Sequence, residues 1–229
     1  RGFLNDLREG NDGTEYFKFL WRGISKIGES IQTINSCIPF DSKIVSSKIN
    51  LSIKSTRKSR HPVDTPNQIH NDLDKLFFQK FRRRLRSESI FAFPDKDPNQ
   101  SYGNPWMVFP IGNYDIFWSN EIADLWDYID KIDLKSTGGN VPISDCDMWI
   151  NNPILKNEAN KILESIASKY IQGNLDEILE NPFMGYDLKE VMIDCNQYCL
   201  VHEAFDIPLS FYCRGEINRF FELLSQISK

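Results

Sequence analysis

Stretches with the period of a helix and stretches with the period of a strand follow one another along this chain without a regular rhythm. That irregular order is the tightest constraint on the fold. A doubly wound parallel sheet needs strand and helix to alternate, and this chain does not supply that. It also shows no internal repeat of the length that builds solenoids or propellers. A mixed α+β class is therefore predicted. The chain has 229 residues, 41% of them hydrophobic and sixteen of them Phe, so it can bury a core rather than remain disordered.

The clearest start signal is Thr65-Pro66-Asn67-Gln68. It reads as an N-cap Thr, a proline at the first helical position and a Gln completing a capping box. The helix that follows places Ile69, Leu73, Leu76, Phe77 and Phe81 on one face and ends in Arg82-Arg83-Arg84. Residues 153–171 form the longest helical pattern, from Pro153 through Leu155, Ala159, Ile162, Leu163, Ile166 and Tyr170. Helices are also expected over 14–35, 119–132, 175–180 and 215–228.

Strands are expected over 43–54, where Ile49, Leu51 and Ile53 alternate with polar residues, and over 87–93, stopped by Pro94. Met107–Phe109 and Tyr114–Phe117 read as two short strands around Pro110-Ile111-Gly112. Residues 190–193 and 197–202 read as two more, turning at Asn196. Residues 134–144 read as a loop. The expected organisation is an N-terminal helical extension over 1–40 and an α+β domain over 41–229, with a helical insertion at about 145–180.

No run of apolar residues is long enough for a membrane span, and the N-terminus lacks the apolar core of a signal peptide. The chain opens on Arg1, as a processed product or a fragment would. Five cysteines, an odd number with no CxxC pair, suggest free thiols in a reducing, cytoplasmic compartment. The net charge is −5, yet residues 41–90 hold twelve Lys/Arg against five Asp/Glu. Such a basic block is either a solvated surface or a place for an anionic partner.

Walker A, GxGxxG, HExxH and GxSxG signatures are all absent. Three histidines, His61, His70 and His202, leave few options for a catalytic triad, and the sequence singles none of them out. Cys195, Cys199 and His202 have a C-x3-C-x2-H spacing, but a zinc site needs a fourth ligand and a tighter knuckle, so buried thiols are the expected reading. The Arg82–Arg86 cluster could grip phosphates, although no nucleic-acid-binding module accompanies it.

The order Arg60, capped helix, Ser87-x-Ser89, and much later Glu190 resembles the Arg…Ser-x-Ser…Glu pattern of the ADP-ribosyltransferase superfamily. The chain is also similar to uncharacterised bacteriophage-type proteins. The shared stretches are Asp64-Thr65-Pro66…Ile69-His70, Arg86-Ser87-x-Ser89-Ile90-Phe91, Tyr102-Gly103, Pro110-Ile111-Gly112, Trp118-Ser119 and Glu190-Val191-Met192-Ile193. The resemblance covers about residues 57–132 and 186–203.

It implies a split, mostly antiparallel sheet flanked by helices, with the three motifs on three strands around an NAD cleft. NAD would be a substrate. Glu190 would hold the ribose hydroxyl and stabilise the oxocarbenium-like cation formed as nicotinamide leaves. Arg60 would bind the phosphate or ribose side of NAD. Ser87 and Ser89 would brace the cleft and the glutamate, and Tyr102 or Trp106 would stack on nicotinamide.

Arginine-modifying members usually carry an acidic or amide residue two positions before the glutamate, and here that residue is Leu188. The acceptor would then be another protein side chain or a nucleic acid, and the basic 80–86 segment favours an anionic one. The resemblance thus points to a phage effector or toxin acting in the host cytoplasm. The alternative is a non-enzymatic virion or host-interaction protein with a degenerate cleft; an N-terminus at Arg1 fits it, since processed ends are common in assembled particles.

Overall fold

A computed structural model describes residues 20–24, 32–40, 43–62, 65–94, 103–136, 139–173 and 190–202. Chain order is β1 (Leu20–Ile24), β2 (Gln32–Phe40), β3 (Lys43–Ser55), α1 (Asn67–Phe81), α2 (Leu85–Glu88), β4 (Ile90–Ala92) and β5 (Asn104–Ser119). It continues with α3 (Leu125–Ile129), β6 (Asp133–Ser136), β7 (Gly139–Pro142), α4 (Cys146–Trp149), α5 (Pro153–Ser168), β8 (Tyr170–Gly173) and β9 (Val191–His202).

The protein is α+β, and every strand pairing among the described residues is antiparallel. β5 and β9 run side by side through the centre of the main sheet. The outer edge of β9 is shared by β3, against Gln197–His202, and β4, against Val191–Ile193. The outer edge of β5 is shared by β1, against Asn104–Val108, and β8, against Ile116–Ser119. β1 and β4 meet through reciprocal backbone bonds between Trp21 and Phe93, of 2.7 and 2.8 Å. β1, β5, β9 and β4 therefore close a ring, which carries Arg22 of β1 to the Phe91 carbonyl, 3.5 Å from its Nη1.

Alternation divides the core. Phe91, Phe117 and Met192 face the helices, packing with Ile69, Leu73, Phe77, Leu85 and Leu163. Their chain neighbours Ile90, Ala92, Ile116, Trp118, Val191 and Ile193 belong to a second cluster with Leu20, Trp106 and Val108. α1 is tied to α5 by Lys80, whose ammonium donates to the carbonyls of Ala167, Ser168 and Tyr170 at 3.3, 2.7 and 2.6 Å. This satisfies carbonyls that the end of α5 leaves open. At its start, Asn152 Oδ1 accepts from the amides of Ile154 and Leu155, ahead of Pro153.

Several expectations are corrected. The described parts of 14–35 are strand: β1 pairs with β5, and β2 forms a hairpin with β3. Leu20-Trp21-Arg22-Gly23-Ile24 is short, and its pairing with β5 outweighs a helical spacing weakened by Gly23. Residues 104–119 make one strand, with the register shifted between Ile111 and Tyr114. Gly112 has φ 80°, a left-handed conformation that glycine adopts freely, so the expected turn is a bulge.

β9 likewise runs unbroken through Asn196. The loop expected over 134–144 contains the β6–β7 hairpin, and the helix expected over 119–132 shrinks to α3. β3 stops at Ser55, so Arg60 lies on the β3–α1 connection rather than on a strand. Residues 85–88 turn as a short helix, so the strand expected from Ser87 begins at Ile90. α1 is capped by Pro66, with no side-chain cap, while Thr65 turns inward. The expected helices over 175–180 and 215–228 lie outside the described residues.

Candidate functional site

Phe91 is the floor of the site. Its ring faces the helix side of β4 and carries two guanidinium groups, Arg60 at 4.3 Å and Arg86 at 4.7 Å from the ring centroid. Arginine stacks on an aromatic face because its plane is weakly hydrated and the ring's quadrupole attracts cations. Arg60 is brought there by the bond from its amide to the Ser87 carbonyl, 3.1 Å. Its Nη1 is buried and has no hydrogen-bond partner among the described residues.

Glu190 heads β9, anchored by its amide on the Ala123 carbonyl at 2.6 Å. Its side chain is buried, and Oε1 accepts from Arg86 Nη1 at 3.0 Å. Burial raises the Glu190 pKa above the ordinary carboxylate value; Arg86 and Arg60 oppose that shift and Asp124 adds to it. Arg60 is pushed down to about 10, first by burial and then by the like charges of Arg22 and Arg86. The buried phenol of Tyr170, in β8, is held well above its usual pKa by burial and then by Glu190. Its hydroxyl has no partner among the described residues.

Arg86 is held at several points, although its buried Nε has no partner among the described residues. Its amide donates to Asp74 Oδ1 at 2.7 Å, and its Nη2 lies 3.5 Å from Thr65 Oγ1. Asp74 Oδ2 takes the Ser87 hydroxyl proton, so His70 Nε2, 3.0 Å from Ser87 Oγ, must be the donor on that side. Burial lowers the His70 pKa, although Asp74 opposes this. The neutral tautomer with its proton on Nε2 follows, leaving Nδ1 as a buried bare acceptor.

Of the residues expected at a site, Arg60 and Glu190 are brought within electrostatic reach of each other. Ser87 and Ser89 do not touch Glu190. Ser87 is taken up by Asp74 and His70, while the buried Ser89 hydroxyl has no partner among the described residues. The side chain that joins Arg60 and Glu190 in this constellation is Arg86, which appears in the sequence as part of a basic run and at the head of the Arg86-Ser87-x-Ser89 stretch, with no role of its own expected. Trp106 is 1% exposed in the second core cluster, opposite Arg22, and a ring so enclosed has no open face for nicotinamide. Tyr102 lies outside the described residues.

The basic run is partly engaged from within. Arg83 pairs with Asp194 at 2.5 Å and lies 3.8 Å from Asp115, Lys80 is spent on carbonyls, and Arg86 is spent on Glu190. Only Arg82 and Arg84 of the group point outward unengaged. Cys195 and Cys199 are buried on β9, their pKa values pushed up by burial to about 11 and about 12, so both are thiols rather than thiolates. No group of three His, Cys, Asp or Glu side chains suited to a metal occurs among the described residues. No helix among them is long and apolar enough to cross a membrane.

The chain matches no family model, no curated protein and no solved structure.

Proposed function

We propose that this protein is an NAD-dependent ADP-ribosyltransferase acting on a macromolecular acceptor in the cytoplasm, with Glu190 as its catalytic carboxylate. One observation carries the reading: the buried Glu190 is held by Arg86 through Oε1, beside a stacked Arg60 whose buried Nη1 has no partner among the described residues. A carboxylate fixed through one oxygen suits a ribose hydroxyl on the other. A guanidinium beside it with an unpartnered nitrogen suits a diphosphate. Stability by itself does not account for the pair, because a buried ion pair contributes about nothing net relative to a packed apolar pair.

In the proposed reaction the bond from ribose C1′ to nicotinamide breaks, and nicotinamide leaves with the electron pair. Glu190 Oε2 holds a ribose hydroxyl and stabilises the cation at C1′. The acceptor's nucleophile then bonds to C1′ and its proton passes to water. The test is nicotinamide release from NAD by the wild type and by Glu190→Gln, with thermal melting as the folding control. Release abolished in a folded variant supports the assignment, and equal release by both removes it.

A second reading, a non-enzymatic virion or host-interaction protein, is favoured by the enclosure of the site, since Glu190 is 8% exposed. It predicts no NAD binding by calorimetry in the presence or absence of acceptor.

A further inference from the structure

Glu190 is buried among groups of both signs. Arg86 on α2 and Arg60 on the β3–α1 connection oppose Asp124, just ahead of α3, and the Tyr170 phenol on β8. Of these, only Arg86 bonds to the carboxylate. Arg86 is itself held by its backbone amide on Asp74 and by three side-chain contacts: Thr65 near Nη2, the Phe91 ring on its plane and Glu190 on Nη1, while Nε has no partner among the described residues. A long flexible side chain fixed in this way orients its partner and does not merely balance its charge.

We infer that Arg86 is the positioning residue for Glu190: it keeps the buried side chain in its carboxylate form and locks Oε1, leaving Oε2 as the working oxygen. The geometry divides the labour between Arg60, which is stacked and has no carboxylate partner among the described residues at its buried Nη1, and Arg86, which is stacked and paired to Glu190 through Nη1, though its Nε has no partner among the described residues. Without the guanidinium, the remaining near neighbours are Asp124, Tyr170 and the more distant Arg60, and burial then favours the protonated acid. A protonated Glu190 cannot stabilise a ribosyl cation. The catalytic meaning of the inference rests on the transferase reading; the ionisation of Glu190 does not.

The test uses Arg86→Met and Arg86→Lys in the full chain. The Glu190 carboxyl is titrated by infrared difference spectroscopy, assigned by subtraction of Glu190→Gln, alongside the pH profile of nicotinamide release. In Arg86→Met the carboxyl should titrate at least about one pH unit higher. The acid limb of turnover should move with it, so that release at pH 6 falls about tenfold or more. In Arg86→Lys the charge remains but the fork to both Glu190 and Thr65 is lost. Its titration should stay within a few tenths of a unit of wild type while kcat falls.

An unchanged Glu190 titration in a folded Arg86→Met overturns the inference. Should that variant fail to fold, Arg86→Lys decides: a reduced kcat at an unshifted titration supports the inference, and a wild-type kcat overturns it. A wild type that releases no nicotinamide even with cell lysate supplied as acceptor refutes the transferase reading, and the carboxyl titrations of both variants still decide the role of Arg86.

Discussion

Arg86 Nη1 lies 3.0 Å from Glu190 Oε1, joining a one-turn helix to the head of a central strand 104 residues later. The contact depends on elements that look unrelated in sequence. α1 supplies Asp74 to hold the Arg86 amide, β4 supplies the Phe91 ring beneath its guanidinium, and the Ala123 carbonyl anchors Glu190.

Asp74 is the hub that fastens α2 to α1. Asp74→Ala removes the acceptor for the Arg86 amide and the Ser87 hydroxyl, leaving both donors in a mostly buried place. The expected loss is about 2–4 kcal/mol, with a smaller loss for Asp74→Asn, which keeps one acceptor oxygen. Urea denaturation measures it; a change in Asp74→Ala below about 0.5 kcal/mol would contradict the contact.

His70 should make the fold acid-sensitive near neutrality. Its folded pKa lies below the ordinary histidine value because of burial. Below about pH 6.5 the unfolded chain therefore takes up a proton that the native state resists, and stability falls as pH falls through that window. His70→Gln, which keeps a donor for Ser87, should flatten the dependence between about pH 7 and pH 5. The same slope in the variant and the wild type would rule out His70 as its source.

Cys195 and Cys199 belong to the central strand, buried and held as thiols. Iodoacetamide at pH 8 should leave both unmodified in the native protein and modify both after denaturation, as read by peptide mass spectrometry. Rapid native labelling of either would place β9 at the surface rather than between β5 and β3.

The two long helices, α1 and α5, were the most legible elements, for a physical reason. α1 and α5 announce themselves through local chemistry: a proline at the start, a repeating apolar face and basic residues at the end of α1. The strands depend on distant partners. The spacing of Leu20, Ile24 and their neighbours fits a helix until β5 offers five residues of ladder. The same long β5–β9 pairing carries both strands through the turns read at Gly112 and Asn196.

Within the site, Arg60 and Glu190 were legible from their order in the chain, but the residue joining the constellation was not. Arg86 is one of four arginines within five positions, and a run of charge does not reveal which member is buried. The usable signal was on the helix before it. His70 and Asp74, four residues apart, flank the Ile69–Leu73–Phe77 stripe, so both lie at the rim of the core, where a carboxylate needs a partner.

The central claim is transfer of ADP-ribose, and the most direct measurement is incubation of the purified chain with NAD labelled in its adenylate phosphate and a nuclease- or protease-treated cell lysate. The account predicts label in macromolecules with wild type and none with folded Glu190→Gln, and whichever treatment removes the labelled species identifies the acceptor class. Label that appears equally with both chains, or with neither in the complete lysate, would contradict it.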